Sequence, residues 1–483
     1  MFFREAALRF SEHFQIGKTQ AELDFVDIVS DEDLPLFIDP YTFSVRNDAW
    51  SEQCNNDIVS YFQALIDHIR AARENDALRL LGGLSEPNET CLGVSRGRPS
   101  GRGVGGLQAK QLYDALNHSQ AAQTGTLSSL SECELYVEGI GPDKISDLTT
   151  NIIRGNLIRY TQEQCRLHGI NLHGTVASGR LWSAARQAWT QDMVPLPVIQ
   201  GKKIVLVPKA SVRWSPAIDH RTFYNHFVLN FLQMEHIEAH SGLVHTLRSG
   251  MRRVFKTELK QHYPLSKEFL RQFAEEHPQV LDGYKRAIGK THEVTLIELE
   301  QDFDEGTFAD VLIRRLHETR PGAEMAADFH RLMIGTLEFI FYPDLIYPIK
   351  ELEIHEGRKR IDIVYTNSAI GGFFFRRRAE ANVGANMVIV ECKNYRQDVA
   401  NPELDQIGGR FSPARGKLGL LIARQFENRE RFIAACRDTA RDNRGFVVPL
   451  VDADIVAMLE LIRDRRRGEI DHYMERLFRY LLG

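Results

Sequence analysis

Two acidic residues and a lysine lie at the ends of two apolar runs in the last third of the chain. Asp362 lies within the run 361–365, and Glu391 and Lys393 follow the run 387–390. If these runs pair as a hairpin, the two acids lie side by side, and carboxylate oxygens suit a hard cation such as Mg²⁺. Lys393 comes two residues after Glu391, so its side chain projects from the same strand face. The pattern predicts a metal-dependent site for phosphodiester cleavage, in which the lysine stabilises charge on phosphate.

This arrangement resembles the PD-(D/E)xK nuclease superfamily, in which an aspartate on one strand accompanies (D/E)xK on the next. The matching residues here are Asp362, Glu391 and Lys393. The proline of the family name is absent, because Ile361 precedes Asp362. The resemblance covers residues 322–465, about a third of the chain, and within the superfamily that segment most resembles the Mrr-like and resolvase-like restriction branch.

The resemblance also implies roles for residues on two helices. In this superfamily a glutamate on the first core helix often joins the metal ligands, and Glu338 occupies the matching place. A helix after ExK often carries a glutamine that faces the site, and Gln406 matches it. On residue type alone Glu338 has a second interpretation, a glutamate that faces solvent. The catalytic set implied by the resemblance is Glu338, Asp362, Glu391, Lys393 and Gln406, with Mg²⁺ or Mn²⁺ held by Asp362, Glu391 and Glu338.

The elements that must position these residues follow from apolar spacing. Apolar residues recur at helical spacing over 324–341, and short β-type runs follow at 350–355, around Asp362 and at 387–390. Asn401-Pro402 is a typical helix start. The continuous apolar runs 417–423 and 445–451 are typical of buried strands in a parallel sheet. The predicted order is helix, three strands, helix, strand, helix, strand, and its first six elements have the αβββαβ order of a restriction-endonuclease-like α/β core.

Basic residues near these elements are candidate DNA contacts. Three arginines follow three phenylalanines at 373–378, and this stretch either reaches along a nucleic-acid groove or packs its aromatic rings with the arginines solvated. Between Arg410 and Arg444 there are nine basic and four acidic residues, a local excess that suits a polyanion but that a solvated helix face would also show. DNA is favoured over RNA only through the resemblance. The predicted DNA contacts are Arg376, Arg377, Arg378, Arg410, Arg415 and Lys417.

Length and composition set the broader expectations. A chain of 483 residues is too long for one core. We expect an N-terminal α+β domain of unknown role at 1–216, a mostly helical connecting region at 217–321 and the nuclease-like α/β domain at 322–483. The net charge of −5 means that any nucleic-acid surface is local. Six scattered cysteines without CxxC pairs fit a reducing cytoplasm, and no apolar run approaches the ~20 residues that span a bilayer.

Three other motifs have both a structural and a functional interpretation. The glycine- and arginine-rich stretch 93–106 lacks the Lys-Ser/Thr of a P-loop, which favours a plain surface loop over a phosphate or nucleic-acid contact by Arg96, Arg98 and Arg102. After a predicted strand at 135–137, Asp143, Lys144 and Asp147 form either a second polar site or a turn with a helix cap at Asp147. His236 and His240 lie one helical turn apart but lack the HExxH order, so we assign no zinc.

The sequence therefore predicts a cytoplasmic, metal-dependent DNA endonuclease with no membrane partner. The resemblance and the large additional region favour a bacterial restriction or anti-phage effector, in which residues 1–320 sense a signal, self-associate or bind partner proteins. The alternative is a nuclease-fold subunit that binds DNA or acts as a scaffold in a multi-protein defence complex and has little activity of its own.

Overall fold

The structure, a computed structural model, describes residues 8–30, 32–93, 106–119, 129–172, 174–215, 217–246, 252–288, 299–300, 303–354, 359–396 and 401–482. Its buried apolar side chains form two hydrophobic cores, one built mainly from residues 10–288 and one mainly from residues 308–481. The described residues of the region 217–321 are mostly helical, and they are divided between the two cores. The part up to Ile288 joins the first core, and the helix Glu305–Glu318 joins the second.

The first core is mostly helical, and its described strands pair two by two, β1 with β6, β2 with β3, β4 with β5 and β7 with β8. The strands are β1 (Phe37–Ile38), β2 (Val176–Ser183), β3 (Ala188–Val194), β4 (Val198–Ile199), β5 (Lys202–Lys203), β6 (Val212–Arg213), β7 (His245–Thr246) and β8 (Arg252–Arg253). The helices are α1 (Phe10–His13), α2 (Pro40–Val45), α3 (Ala49–Arg70), α4 (Glu74–Leu81), α5 (Gly106–His118), α6 (Cys133–Tyr136), α7 (Pro142–Ile152), α8 (Arg154–Leu167), α9 (His220–Phe223), α10 (Leu229–Glu238), α11 (Lys256–His262), α12 (Lys267–Glu276) and α13 (Pro278–Ile288).

Two local expectations for this part are corrected. The strand predicted at 135–137 is instead largely helix α6, which ends at Tyr136. Helix α7 begins at Pro142, a residue suited to the first helical position, so Asp147 lies inside the helix and is not its cap. Of the glycine-rich stretch 93–106, residues 94–105 lie outside the described part of the chain.

The second core surrounds a five-stranded sheet in the order β13-β12-β11-β10-β9. Strand β10 pairs antiparallel with both β9 and β11, whereas β11, β12 and β13 run parallel to one another. The order of elements from 326 onwards is the predicted one, with a short additional helix between β10 and β11. The elements are α14 (Glu305–Glu318), α15 (Ala326–Phe341), β9 (Leu345–Ile354), β10 (Lys359–Asn367), α16 (Gly372–Ala379), β11 (Met387–Lys393), α17 (Asn401–Gly408), β12 (Leu418–Ala423), α18 (Arg429–Arg441), β13 (Phe446–Val451), α19 (Asp452–Arg463) and α20 (Ile470–Leu482).

Helices cover both faces of this sheet. On one face the Tyr365 hydroxyl donates a hydrogen bond to the Ile334 carbonyl of α15, at 3.1 Å. On the other face α17 lies so close to β12 that a Cβ on Gly419 would be 3.0 Å from the Ile407 Cδ1 atom. Every residue of β12 is buried, as expected for a parallel strand between two helical layers.

The two cores join through strand β9, which is an edge of the sheet. Helix α8 packs against β9, and this covering protects an edge that is otherwise open to pairing. Tyr347 of β9 belongs to the first core, and its N–H donates to the Asp24 carboxylate at 3.0 Å. Tyr347 holds a φ of +52°, so this hydrogen bond stabilises a backbone conformation that is uncommon for a non-glycine residue.

Two further observations concern the cysteines and the helices. All six cysteines are free thiols. Among the described residues, no helix combines the length and the apolar character needed to cross a membrane.

Candidate active site

Strands β10 and β11 place Asp362 and Glu391 side by side. Ile363 pairs with Val390, and the two acids follow one position further along the same antiparallel pairing. Because cross-strand neighbours project to the same face of a sheet, both carboxylates lie on one face. The Asp362 side chain is 32% exposed and that of Glu391 is fully buried. The structure therefore has the adjacency that the hairpin pattern predicted.

Lys393 completes the cluster from the end of β11. Its Nζ atom lies 3.3 Å from Glu391 Oε2 and 4.0 Å from Asp362 Oδ2. The same ammonium donates to the Gln406 side-chain oxygen on α17, at 3.5 Å. Two carboxylates, an ammonium and an amide thus meet at one end of the central strands, with Asp362 and Gln406 open to solvent.

Arg410 occupies the remaining side of Glu391. It follows α17 in a turn in which its N–H donates to the Ile407 carbonyl at 3.0 Å, and its guanidinium forms an ion pair with the Glu391 carboxylate. Arg410 is 5% exposed. Burial lowers the pKa of Arg410, and the negative charge of Asp362 partly offsets this. Arg410 was predicted as a DNA contact, and in this structure its partner is a carboxylate of the protein.

The other predicted DNA contacts around β12 are engaged with their own chain. Arg415 donates from Nε to the Arg410 carbonyl at 3.0 Å and closes the turn before the strand. Lys417 lies at the start of β12 and donates to the Asn443 carbonyl at 3.2 Å. Because β11 and β12 are parallel, the start of β12 is the end of the sheet away from Glu391.

The structure places Arg376, Arg377 and Arg378 away from the acidic cluster. They lie on α16, which joins the far ends of β10 and β11, about five residues or roughly 17 Å along the strand from Asp362. Arg376 pairs with Glu475 at 3.0 Å, and Arg377 is buried over the Phe478 ring. Arg378 donates to two carbonyls of its own loop. Phe373 and Phe374 are packed, as in the second interpretation of this stretch, but the three arginines bind partners within the protein.

The structure does not bring Glu338 to the acidic cluster. Helix α15 packs on the face of the sheet that carries Tyr365, whereas alternation along β10 and β11 puts Asp362 and Glu391 on the opposite face. Glu338 is 1% exposed and pairs with the fully buried Lys209 at 2.9 Å. Burial raises the pKa of Glu338 to about 7, although the Lys209 charge opposes the shift. Glu338 therefore neither faces solvent nor lies beside the other predicted ligands. Its ion pair with Lys209 lies at the junction of the two cores.

The donor set fits a hard divalent cation with two protein ligands. Mg²⁺ commonly takes one or two carboxylates and completes its shell with water and substrate phosphate. Asp362 and Glu391 supply two such carboxylates on one face. In the described part of the chain, neither Glu391 oxygen accepts a hydrogen bond, so Arg410 and Lys393 balance its charge only as ion pairs. A cation shared by the two carboxylates would therefore compete with Arg410 for Glu391.

A second acidic cluster in the described residues, not anticipated from the sequence, consists of Glu134, Asp219 and His220, whose ligand atoms lie within 4.8 Å of one another. Its members already have partners. His220 contacts Glu134 at 2.6 Å, Asp219 caps α9, and the Lys267 ammonium lies 3.6 Å from Glu134. This ammonium competes with a cation, so we assign no metal there.

Of the other candidate motifs, the histidine pair and the aspartate pair lie within the described residues. His236 bonds to Ser241 and Tyr263, whereas His240 contacts Arg252, so the two imidazoles do not share a ligand position. Burial raises the pKa of Asp147 to about 7, and the nearby charge of Asp143 adds to the shift.

Comparisons with known proteins reach only the first core. A family model described as a domain of unknown function, DUF8370, matches residues 15–219, less than half of the chain. No curated protein and no solved structure matches the chain. The matched segment ends before Asp362, Glu391 and Lys393, so the acidic cluster is interpreted from its own chemistry.

Proposed function

We propose that the chain is a metal-dependent endonuclease that hydrolyses phosphodiester bonds of DNA. The observation that carries this proposal is the meeting of Asp362, Glu391 and Lys393 on one face, with the lysine 3.3 Å from one carboxylate and 4.0 Å from the other. Carboxylates that can share a cation, beside an ammonium that can reach a phosphate oxygen, are the groups that phosphodiester hydrolysis requires. The choice of DNA rests on the resemblance to PD-(D/E)xK nucleases.

Each residue has a distinct task in this proposal. Asp362 and Glu391 hold Mg²⁺ or Mn²⁺, which when bound lowers the pKa of a coordinated water and neutralises phosphate charge. Lys393 donates to the attacking water or to a phosphate oxygen as negative charge develops there. Gln406, within reach of the lysine, orients the water or the substrate through its amide. Burial of Glu391 and Lys393 strengthens these interactions, because less water screens them.

The order of elements supports the same proposal. The segment from α15 to β12 has the order αβββαβ, with one additional helix, α16, inserted at the far end of the central hairpin, and α18 and β13 extend it. In this core the acidic cluster lies where the antiparallel hairpin meets the parallel strands, and α17 covers it from one face. We propose that this core is restriction-endonuclease-like, of the Mrr-like and resolvase-like branch.

Arg410 favours a second candidate, a nuclease-fold subunit that binds DNA or acts as a scaffold and cuts little by itself. Its ion pair with Glu391 provides a protein cation at the place where the metal would bind. A partner or a signal acting through the first core would then have to release Arg410. A bacterial defence effector with a regulatory N-terminal region is consistent with both candidates, and we propose that setting on architecture alone.

The first experiment is cleavage of three DNAs by the purified full chain. Linear duplex, closed circular duplex and single-stranded DNA are incubated with Mg²⁺, Mn²⁺ or EDTA. Glu391→Ala is compared with Glu460→Ala, which removes a glutamate that is 47% exposed on α19. We expect cutting of circular DNA that requires the metal, is lost in Glu391→Ala and is kept in Glu460→Ala. Equal cutting by both variants would reject the site, and no cutting by the unaltered chain would favour the second candidate.

A further inference from the structure

The segment that follows Lys393 is fixed to the loop 319–322. The side-chain amide of Asn394, which is 4% exposed, donates to the carbonyls of Arg320 at 3.0 Å and Gly322 at 2.8 Å. In return the Gly322 N–H donates to the Asn394 carbonyl at 2.8 Å. The loop before α15 and the end of β11 therefore form one hydrogen-bonded unit beside the acidic cluster.

Arg396 strengthens this unit by packing across the loop. Its Nε atom donates to the Pro321 carbonyl at 3.0 Å. Gly322 has a φ of +130°, a conformation that favours glycine, and an added Cβ would lie 2.8 Å from Arg396 Nε and displace that side chain. Because the side chain is anchored through Nε, the position of the Arg396 guanidinium relative to the strand end is set.

Three side chains of this unit are open to solvent. Tyr395 is 44% exposed, and Arg396 and Arg320 are both exposed. Arg396 comes three residues after Lys393, so their Cα atoms are at most roughly 10 Å apart. Tyr395 and Arg396 therefore lie where β11 leaves the sheet, directly after the acidic cluster in the chain, and the Asn394 hydrogen bonds hold the loop of Arg320 at the same strand end.

We propose that Tyr395, Arg396 and Arg320, together called the Tyr395 platform, bind one nucleic-acid strand next to the phosphate that is cut. The arginines contact backbone phosphates, and the tyrosine ring stacks on a base that is not stacked within a duplex. This inference rests on the proposed nuclease function and adds its substrate class, a single strand or an unpaired region. The platform replaces Arg376, Arg377 and Arg378 as the expected phosphate contacts.

Charge and position favour the platform over α16. The α16 arginines are bound to Glu475, to an aromatic ring or to loop carbonyls at the far end of the sheet. The loop 319–322 is flanked by exposed Glu318 and Glu324, so the surface is not uniformly basic. The two platform arginines therefore act as local contacts to individual phosphates, and the ring supplies an interaction that does not depend on salt.

Fluorescence anisotropy of a labelled single-stranded oligonucleotide and its duplex, with the full chain in EDTA, tests the platform without cleavage. Tyr395→Ala should weaken single-strand binding roughly 5- to 150-fold, the effect of losing one stacked base, with a smaller effect on the duplex. Tyr395→Phe keeps the ring and should bind normally. Tyr480→Ala, which removes a tyrosine that is 52% exposed on α20, is the matched control.

The arginines are tested by the salt dependence of the same binding. Arg396→Ala and Arg320→Ala should each lower the slope of log affinity against log salt by about 0.7 for a single strand. Arg320→Ala preserves the backbone carbonyl that Asn394 uses, so the loop is retained. Arg376→Ala is the control, and its slope should equal that of the unaltered chain.

The outcomes separate the platform from the proposed function. Cutting by the unaltered chain, with normal oligonucleotide binding by all three alanine variants, would reject the platform and keep the nuclease. Weakened binding by the variants, in a chain that cuts under no condition, would keep the platform only as a strand-binding surface and would favour the second candidate, the subunit that binds DNA without cutting it. Absence of any binding by the unaltered chain, or a loss confined to Arg376→Ala, would also overturn the platform.

Discussion

Removal of the Arg410 side chain should raise the affinity of the site for a divalent cation. In the structure Arg410 neutralises the buried Glu391 carboxylate, and Lys393 alone would face it in Arg410→Ala. Removing one partner of a buried ion pair typically costs about 3–5 kcal/mol, because a buried charge is left without compensation. The remaining lysine places this site near the lower end, at about 3 kcal/mol.

The same free energy should appear as a gain in the affinity of Arg410→Ala for the metal. If the cation must displace Arg410, the variant avoids that cost, and about 3 kcal/mol corresponds to roughly a 150-fold gain in affinity. Without metal the same variant should melt roughly 6–12 °C lower, at about 2–4 °C per kcal/mol for a domain of this size. Saturating Mn²⁺ should restore most of the loss, because it binds the folded state.

Calorimetric titration with Mn²⁺ and thermal unfolding with and without the metal measure both effects. Arg376→Ala is the control, since it removes a half-exposed arginine whose ion pair with Glu475 lies far from the cluster. An affinity for Mn²⁺ that is unchanged or lower in Arg410→Ala would refute the reasoning. So would a loss of stability that the metal does not reverse.

Three further predictions concern the site and the junction. Lys393→Ala should lower the cleavage rate by at least about 10²–10³-fold, as for a lost charge-stabilising donor, with normal DNA binding by anisotropy. Because burial raises the pKa of Glu338 to about 7 in the folded state, the free energy of unfolding of the unaltered chain should fall relative to that of Glu338→Gln as the pH rises from about 5 to 8. Urea unfolding measures this difference, and a difference that does not change with pH would contradict the prediction. Gly335→Ala should cost about 1–3 kcal/mol in urea unfolding, because its Cβ meets Lys18 and Glu22, and a gain in stability would contradict that packing.

The acidic cluster was predictable because it depends on local rules. A period of two along β10 and β11, and the hairpin pairing between them, are enough to place Asp362, Glu391 and Lys393 on one face. The helix start at Asn401-Pro402 predicted the helix that carries Gln406, and the resemblance implied its role; its side chain lies 3.5 Å from the lysine. These features involve neighbours in the chain or a repeating pattern.

Features that depend on long-range packing were not predictable. Whether α15 covers the same face as the acids depends on tertiary contacts, so the sequence offered no sign that Glu338 would pair with Lys209 from the first core. The arginines of α16 looked solvent-facing, but α20, about a hundred residues later, supplies Glu475 and Phe478 as partners. The Asn394 contacts with the loop 319–322 likewise join segments some seventy residues apart.

The most direct test of the central claim is the nicking of closed circular DNA in Mn²⁺ by three proteins assayed together. These are the unaltered chain, Asp362→Asn, and Asp219→Asn, which changes the other acidic cluster but preserves a side chain suited to the cap of α9. The account predicts that the unaltered chain and Asp219→Asn nick the DNA and that Asp362→Asn does not. Nicking by Asp362→Asn at the rate of the unaltered chain, or its loss only in Asp219→Asn, would contradict the account.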